Sequence, residues 1–152
     1  MKFIINGRQI QIGDLTPQLD EAFIALHEAY FGHRALDLRK FNNIALDFFN
    51  SDRSLLVSQD SYFTNFTVIW RSYLSTSNFD EAEHIWIMAL EPALSWEATN
   101  PGRYIHKGTP YYCWGGTSIL RGDLDKGYTL MHQGFKEDVR SSKTLLPDTP
   151  AF

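Results

Sequence analysis

The apolar residues of this chain change their spacing once, after Gly13, and that change constrains the fold more than any single motif. Before it, KFII and RQIQI alternate with a period of two on either side of Asn6-Gly7, a pair that tolerates the positive φ angles of a tight hairpin turn. After it, the spacing is helical and stays so to about Arg140. The pattern predicts a mainly α fold: a short N-terminal β-hairpin over 1–13, then three antiparallel helical hairpins over 17–50, 60–97 and 109–140, and a tail over 141–152. All of it is expected in a single helical domain of 1–152.

Start and stop signals divide the helical part. Thr16 can cap a first helix with Pro17 at its opening position, where a missing N–H costs nothing, and Asp20 and Glu21 suit the positive end of the helix dipole. Leu19, Ala22, Phe23, Leu26 and Tyr30 line one face as far as Gly32; a second helix is expected from about Arg34 to Phe49, with Leu38, Phe41, Ala45 and Phe48 on its stripe. From Asp60, the residues Tyr62, Phe63, Phe66, Ile69, Trp70, Tyr73 and Leu74 keep helical spacing without a fault until STSN. Asn78 is then expected to cap, with Glu81 reaching back, a helix that buries Phe79, Ala82, Trp86, Ala89 and Leu90 and that Pro92 bends or restarts.

The segment CWGGTSILRGDLDKGY asks whether its glycines cradle phosphate or let helices approach. Thr109-Pro110 repeats the cap and opening proline, so Gly115 and Gly116 fall inside a helix, Gly122 ends it, and Gly127 and Gly134 lie on one stripe of the next helix, which Asp123 caps. A P-loop needs lysine directly after its last glycine, and here Asp123 follows Gly122; a dinucleotide fingerprint needs a preceding buried strand, and here an aromatic helix precedes. The glycines read as packing notches, with Gly115 and Gly116 both expected against a neighbouring helix.

Charge and composition narrow the function classes. Fourteen basic and eighteen acidic residues give a formal charge of -4 without a block of one sign, which argues against nucleic acid as a partner. The longest apolar run, IWIMAL, is far short of a membrane span, and Cys113 is the sole cysteine, which suits a reducing, cytoplasmic setting. An aromatic content of 14% serves thick helix interfaces.

The segment from 60 to 140 resembles the tetratricopeptide family of helical repeats. Tyr111, Trp114 and Gly115, then Gly122 at the turn, then Gly127, Met131 and Gly134 follow its aromatic, large and small pattern; Phe66, Ile69, Tyr73, Ala82, Trp86 and Ala89 echo it. Gly127 lies 45 positions after Ala82, a longer period than the family's roughly 34. The resemblance implies a non-catalytic interaction or oligomerisation module with a groove lined by Thr64, Thr67 and Arg71 from one hairpin and Thr109, Tyr112 and Ile119 from the next. It implies a protein or peptide partner, or self-association, and no cofactor. Arg71, Thr67 and Tyr112 are the binding candidates carried by it.

Catalytic and metal motifs are incomplete. Glu81-x-x-His84 is half of a di-iron motif without a second copy, and the two histidines of HEAYFGH are six apart rather than four. Asp123-Leu124-Asp125 lacks the later ligands of a calcium loop, so no metal site is expected. The connector NPGRYIHKG gathers Arg103, Tyr104, His106 and Lys107 in an insertion that the repeat does not need, and the first three complete the binding candidates. The alternative function is a small helical-bundle enzyme or ligand-binding protein with its site near Arg103, His106 and Cys113. The proline-spaced end, LLPDTPAF, reads equally as the way into a following domain or as a tail that folds back so that Leu145, Leu146 and Phe152 cover an exposed groove.

Overall fold

A computed structural model describes residues 2–5, 8–11, 16–32, 36–51 and 59–145; Asn6-Gly7, Arg34 and the segment from Leu146 to Phe152 lie outside the described residues. The chain divides into two compact units, Met1–Asn65 and Phe66–Phe152.

In the first unit, β1 (Lys2–Ile5) and β2 (Arg8–Gln11) pair antiparallel with Phe3 opposite Ile10. Helix α1 (Pro17–Gly32) starts where Leu19 N–H donates to Thr16 Oγ1 at 3.2 Å. Helix α2 (Leu38–Asn50) starts later than its apolar period suggests, because Asp37 caps it by accepting from Lys40 N–H at 3.0 Å. With α3 (Gln59–Thr64) these helices bury an aromatic cluster. Tyr62 sits at its centre, 5.6 Å from the Phe23 ring, 5.0 Å from Phe49 and 5.0 Å from Phe63, all edge-on. Burial pushes the Tyr62 hydroxyl far above its ordinary value. His27, also buried, donates from Nε2 to the Asn65 carbonyl at 3.2 Å; burial draws its imidazole down to about 4 despite that bond.

The second unit holds α4 (Thr67–Ser75), α5 (Phe79–Thr99), α6 (Gly108–Leu120) and α7 (Leu124–Leu145). Two antiparallel hairpins result, and both turn in the same way. After α6, Asp123 N–H donates to the Ser118 carbonyl and Gly122 N–H to that of Ile119, with Gly122 at φ 93°. After α4, Asn78 N–H donates to the Tyr73 carbonyl and Ser77 N–H to that of Leu74, with Ser77 at φ 58°. Helices α5 and α7 therefore begin 45 residues apart, and so do the ends of α4 and α6.

The two helices of the second hairpin, α6 and α7, meet along a glycine seam. A methyl group on Gly115 would stand 2.8 Å from the Gly127 carbonyl oxygen and 3.0 Å from Met131 N, and one on Gly127 would stand 2.9 Å from the Gly115 carbonyl oxygen. On α4 and α5, Trp70 meets Trp86 edge-on at 5.7 Å and Trp70 Nε1 donates to Thr117 Oγ1 of α6 at 2.8 Å.

The expected fold class, a β-hairpin followed by three consecutive helical hairpins in one array, is corrected here. Apart from Phe66 and Ile105, the described core residues stand on helices, so the core of the fold is α-helical. The helix expected from Asp60 to Leu74 is cut at Asn65-Phe66, and its halves, α3 and α4, fall in different units, so the pair expected over 60–97 forms only from α4 onward, as α4 and α5. The apolar spacing runs on through the cut because Tyr62, Phe63, Phe66 and Ile69 are all fully buried on either side of it.

Smaller expectations change as well. The Asn78 side chain does not cap α5; its Nδ2 turns back to Thr76 Oγ1 at 2.8 Å, inside the turn that its own backbone closes. Helix α5 runs unbroken through Pro92. Helix α6 opens at Gly108, which leaves Pro110 within the first turn, where no intrahelical N–H is needed. Gly116 faces open space, with nothing within 4 Å of a methyl group there.

Candidate functional site

Four of the six binding candidates converge where the connector 100–107 crosses the ends of α5, α6 and α7. Lys107 anchors the crossing. It is 1% exposed, and its ammonium donates to Glu97, to the Ile105 carbonyl at 3.1 Å and to Glu137 Oε2 at 2.9 Å, which uses all three of its donors. Glu97 Oε2 also accepts Ile105 N–H at 2.8 Å, and Arg140 lies 2.5 Å from Glu137 Oε2. A buried ammonium between two carboxylates is tolerable only when it is satisfied in this way.

The connector's other polar residues attach around that anchor. His106 Nε2 donates to Asp138 Oδ1 at 2.6 Å, and Tyr112 Oη donates to Asp138 Oδ2 at 3.0 Å. Burial, then the Asp138 bond, raises the Tyr112 hydroxyl above its ordinary value; Tyr111 is raised by burial and by the Glu137 and Glu97 carboxylates. The Arg140 guanidinium lies over the Tyr104 ring at 4.1 Å, and that of Arg103 over Trp96 at 5.0 Å. Gly108 makes room for Asp138, whose Oδ1 would be 2.2 Å from a methyl group at that position. Thr67 and Arg71 lie on α4, outside this cluster; Thr67 is half-buried and Arg71 exposed. Cys113 follows Tyr112 on α6 and so is turned about 100° round the helix from it.

The arrangement works as a clamp. Both oxygens of Asp138 and every donor of Lys107 are engaged by the chain itself, so the connector is tied to three helices. Sequence reasoning found the connector, Lys107 included, but gave Lys107 no role and missed Glu97, Glu137, Asp138 and Arg140. A signal was there: Glu137 falls close to the Gly127 and Gly134 stripe of α7, and a carboxylate on a buried stripe demands a buried cation.

A second polar cluster, also missed, joins α5 to the following turn. Glu83, on the buried stripe of α5, accepts from Ser118 Oγ at 2.5 Å, Arg121 Nη1 at 2.8 Å and Lys126 Nζ at 3.3 Å. Burial pushes its carboxyl up, yet the bonds from Ser118, Lys126 and Arg121 together hold it below the usual carboxylate range. Arg121 reaches Asp80 as well, at 2.7 Å.

Two concave surfaces lie among the described residues. In the first unit a groove of about 520 Å³ lies between α1 and α2, floored by Ala22, Ala25, Phe41 and Ile44 and edged by Glu21 and Lys40. On α7 a shallow depression of about 270 Å³ is lined by Phe135, Lys136, Val139 and Arg140. Among the described residues no group of three or more His, Cys, Asp or Glu side chains is placed to hold a metal ion, and no helix is long and apolar enough to cross a membrane.

Comparison with family models, with curated proteins and with solved structures returned no match for this chain.

Proposed function

We propose that this chain is a non-catalytic helical interaction module of the cytoplasm that binds another protein through the outer face of α7. One observation carries the reading. The two hairpins repeat at 45 residues, so each position of α5 has a counterpart on α7. Glu83 and Leu90 of α5 are 6% and 2% exposed, whereas their counterparts Tyr128 and Phe135 are 62% and 53% exposed. The face that α5 gives to the next hairpin is thus open on α7, and there it carries aromatic side chains of the kind that anchor interfaces. The tetratricopeptide-like pattern supports the same reading, with recognition on α7 rather than at Arg71 and Thr67. The alternative of a small enzyme has one dyad in its favour, His106 with Asp138, but that carboxylate is already shared with Tyr112.

The test is a benzophenone side chain placed at position 128 in the expressing cell, with the exposed Glu91 position on α5 as control. Covalent protein adducts at 128 and none at 91 are expected. Absence of adducts at both would refute the reading.

A further inference from the structure

We infer that the occupant of this face is a second copy of the chain, packed α7 against α7 in antiparallel fashion about a two-fold axis. The inference rests on the reading of α7 as a recognition face and adds the identity of the partner. Leu124, Tyr128, His132, Phe135 and Val139 follow one another at steps of four, four, three and four, which places them on one stripe about 80° wide. Steps of three and four are the spacing with which two helices interlock side by side. Leu124, Tyr128, His132 and Phe135 are exposed and Val139 half-buried, and the depression beside Phe135 and Val139 offers a recess for a side chain from a facing helix.

Charge decides who that helix belongs to and how it runs. Asp125 and Lys136 are exposed and lie along the same flank of the stripe. When the helix meets a copy of itself in reverse, Tyr128 faces the copy's Phe135 and Leu124 faces its Val139. The midpoint of Asp125 and Lys136 falls within one residue of the midpoint of that stripe. The axial mismatch is therefore about 3 Å, well within the reach of a lysine, so each Asp125 meets a Lys136 across the axis. In a parallel pairing about a two-fold axis the same flanks would fall on opposite sides of the interface, so Asp125 and Lys136 would find no partner in each other. The antiparallel arrangement is the one that pairs them, and the ion pairs set orientation more than they add affinity.

Sedimentation velocity of the full chain over a range of concentrations, together with cross-linking from position 128, tests this. The expected result is a reversible dimer, with an adduct of twice the chain mass that maps between position 128 and the segment around Phe135. Asp125→Lys or Lys136→Asp alone should weaken the dimer about tenfold, since each creates two like-charge contacts, and Asp125→Lys with Lys136→Asp should restore it. Tyr128→Ser with Phe135→Ser should leave a monomer whose melting curve matches that of the parent chain at concentrations where the parent is itself monomeric, because both side chains are exposed. A chain that stays monomeric overturns the inference. In that case adducts of other mass at position 128 would preserve the interaction reading, and no adducts would remove it too. A dimer indifferent to both charge reversals, or one whose double reversal is weaker than either single, overturns the antiparallel pairing.

Discussion

Two adjacent glycines on α6 offer a controlled test of the packing. A methyl group on Gly115 would lie 2.8 Å from the Gly127 carbonyl oxygen and 3.0 Å from Met131 N, and both obstacles are backbone, so neither can swing aside. A methyl group on Gly116 would meet nothing within 4 Å. Each Gly→Ala change inside a helix gains about 1 kcal/mol in helix propensity. That gain is common to the two variants and cancels in their comparison. What is left is the strain of forcing α6 and α7 apart at Gly115, about 1–3 kcal/mol for an added carbon in a packed interface. Gly116→Ala should thus be more stable than the parent protein by about 1 kcal/mol, and Gly115→Ala less stable than Gly116→Ala by about 1–3 kcal/mol. A unit the size of Phe66–Phe152 shifts its melting temperature by about 4–8 °C per kcal/mol, so circular dichroism at 222 nm resolves the difference easily. Gly127→Ala should behave like Gly115→Ala, since it meets the same backbone from the other side. Equal melting temperatures for Gly115→Ala and Gly116→Ala would show that the seam has slack, and the close approach would lose its role.

Further outcomes follow from single sites. Ser77 holds a left-handed turn at φ 58° without being glycine, so Ser77→Gly should gain about 0.5 kcal/mol, whereas Gly122→Ala, at φ 93° in the matching turn, should lose about 1 kcal/mol; thermal melts of both report the sign. His27 is drawn down to about 4 from an ordinary 6.5, so between those values the folded chain binds fewer protons than the unfolded one. Stability of the Met1–Asn65 unit should accordingly fall by about 3 kcal/mol as the pH drops through that window, and urea unfolding of His27→Gln should show a flatter profile. Glu83→Ala leaves the buried Ser118 hydroxyl without its carboxylate and should lower stability by about 1–3 kcal/mol, read as a drop in the urea midpoint.

Much of the second unit is legible in the sequence because its determinants are local. Gly122 and STSN mark two turns at equal spacing, and the small residues Ala82, Ala89, Gly127 and Gly134 sit where helices approach. What is illegible depends on distant partners. Nothing near Asn65 announces a helix break; the His27 imidazole that reaches its carbonyl lies 38 residues earlier. Gly115 and Gly116 are identical neighbours, and only the 100° between them decides which faces α7. The candidate site shows the same division. Connector residues Arg103, Tyr104 and His106 are conspicuous as an insertion, but the carboxylates that hold the connector, Glu97 at Ile105 N–H, Asp138 at His106 and Glu137 at Lys107, come from helices distant in sequence or a full turn of chain away.

The two polar clusters also explain how a seam built on glycine keeps its register. Glycine contacts are smooth, and by themselves they would let α7 slide along α6. Glu83 and Glu97 lie near opposite ends of α5, about 20 Å apart along its axis. Glu83 grips the α6–α7 turn through Ser118, Arg121 and Lys126, and Glu97 grips the far end of that hairpin through Lys107 and, by way of it, Glu137. A slide of one residue would pull a buried carboxylate from its cation at either end, which is far costlier than any gain in apolar contact. The pinned seam holds α7 by its Gly127 and Gly134 stripe, and about a quarter turn round the helix from that stripe Leu124, Tyr128 and Phe135 stand exposed.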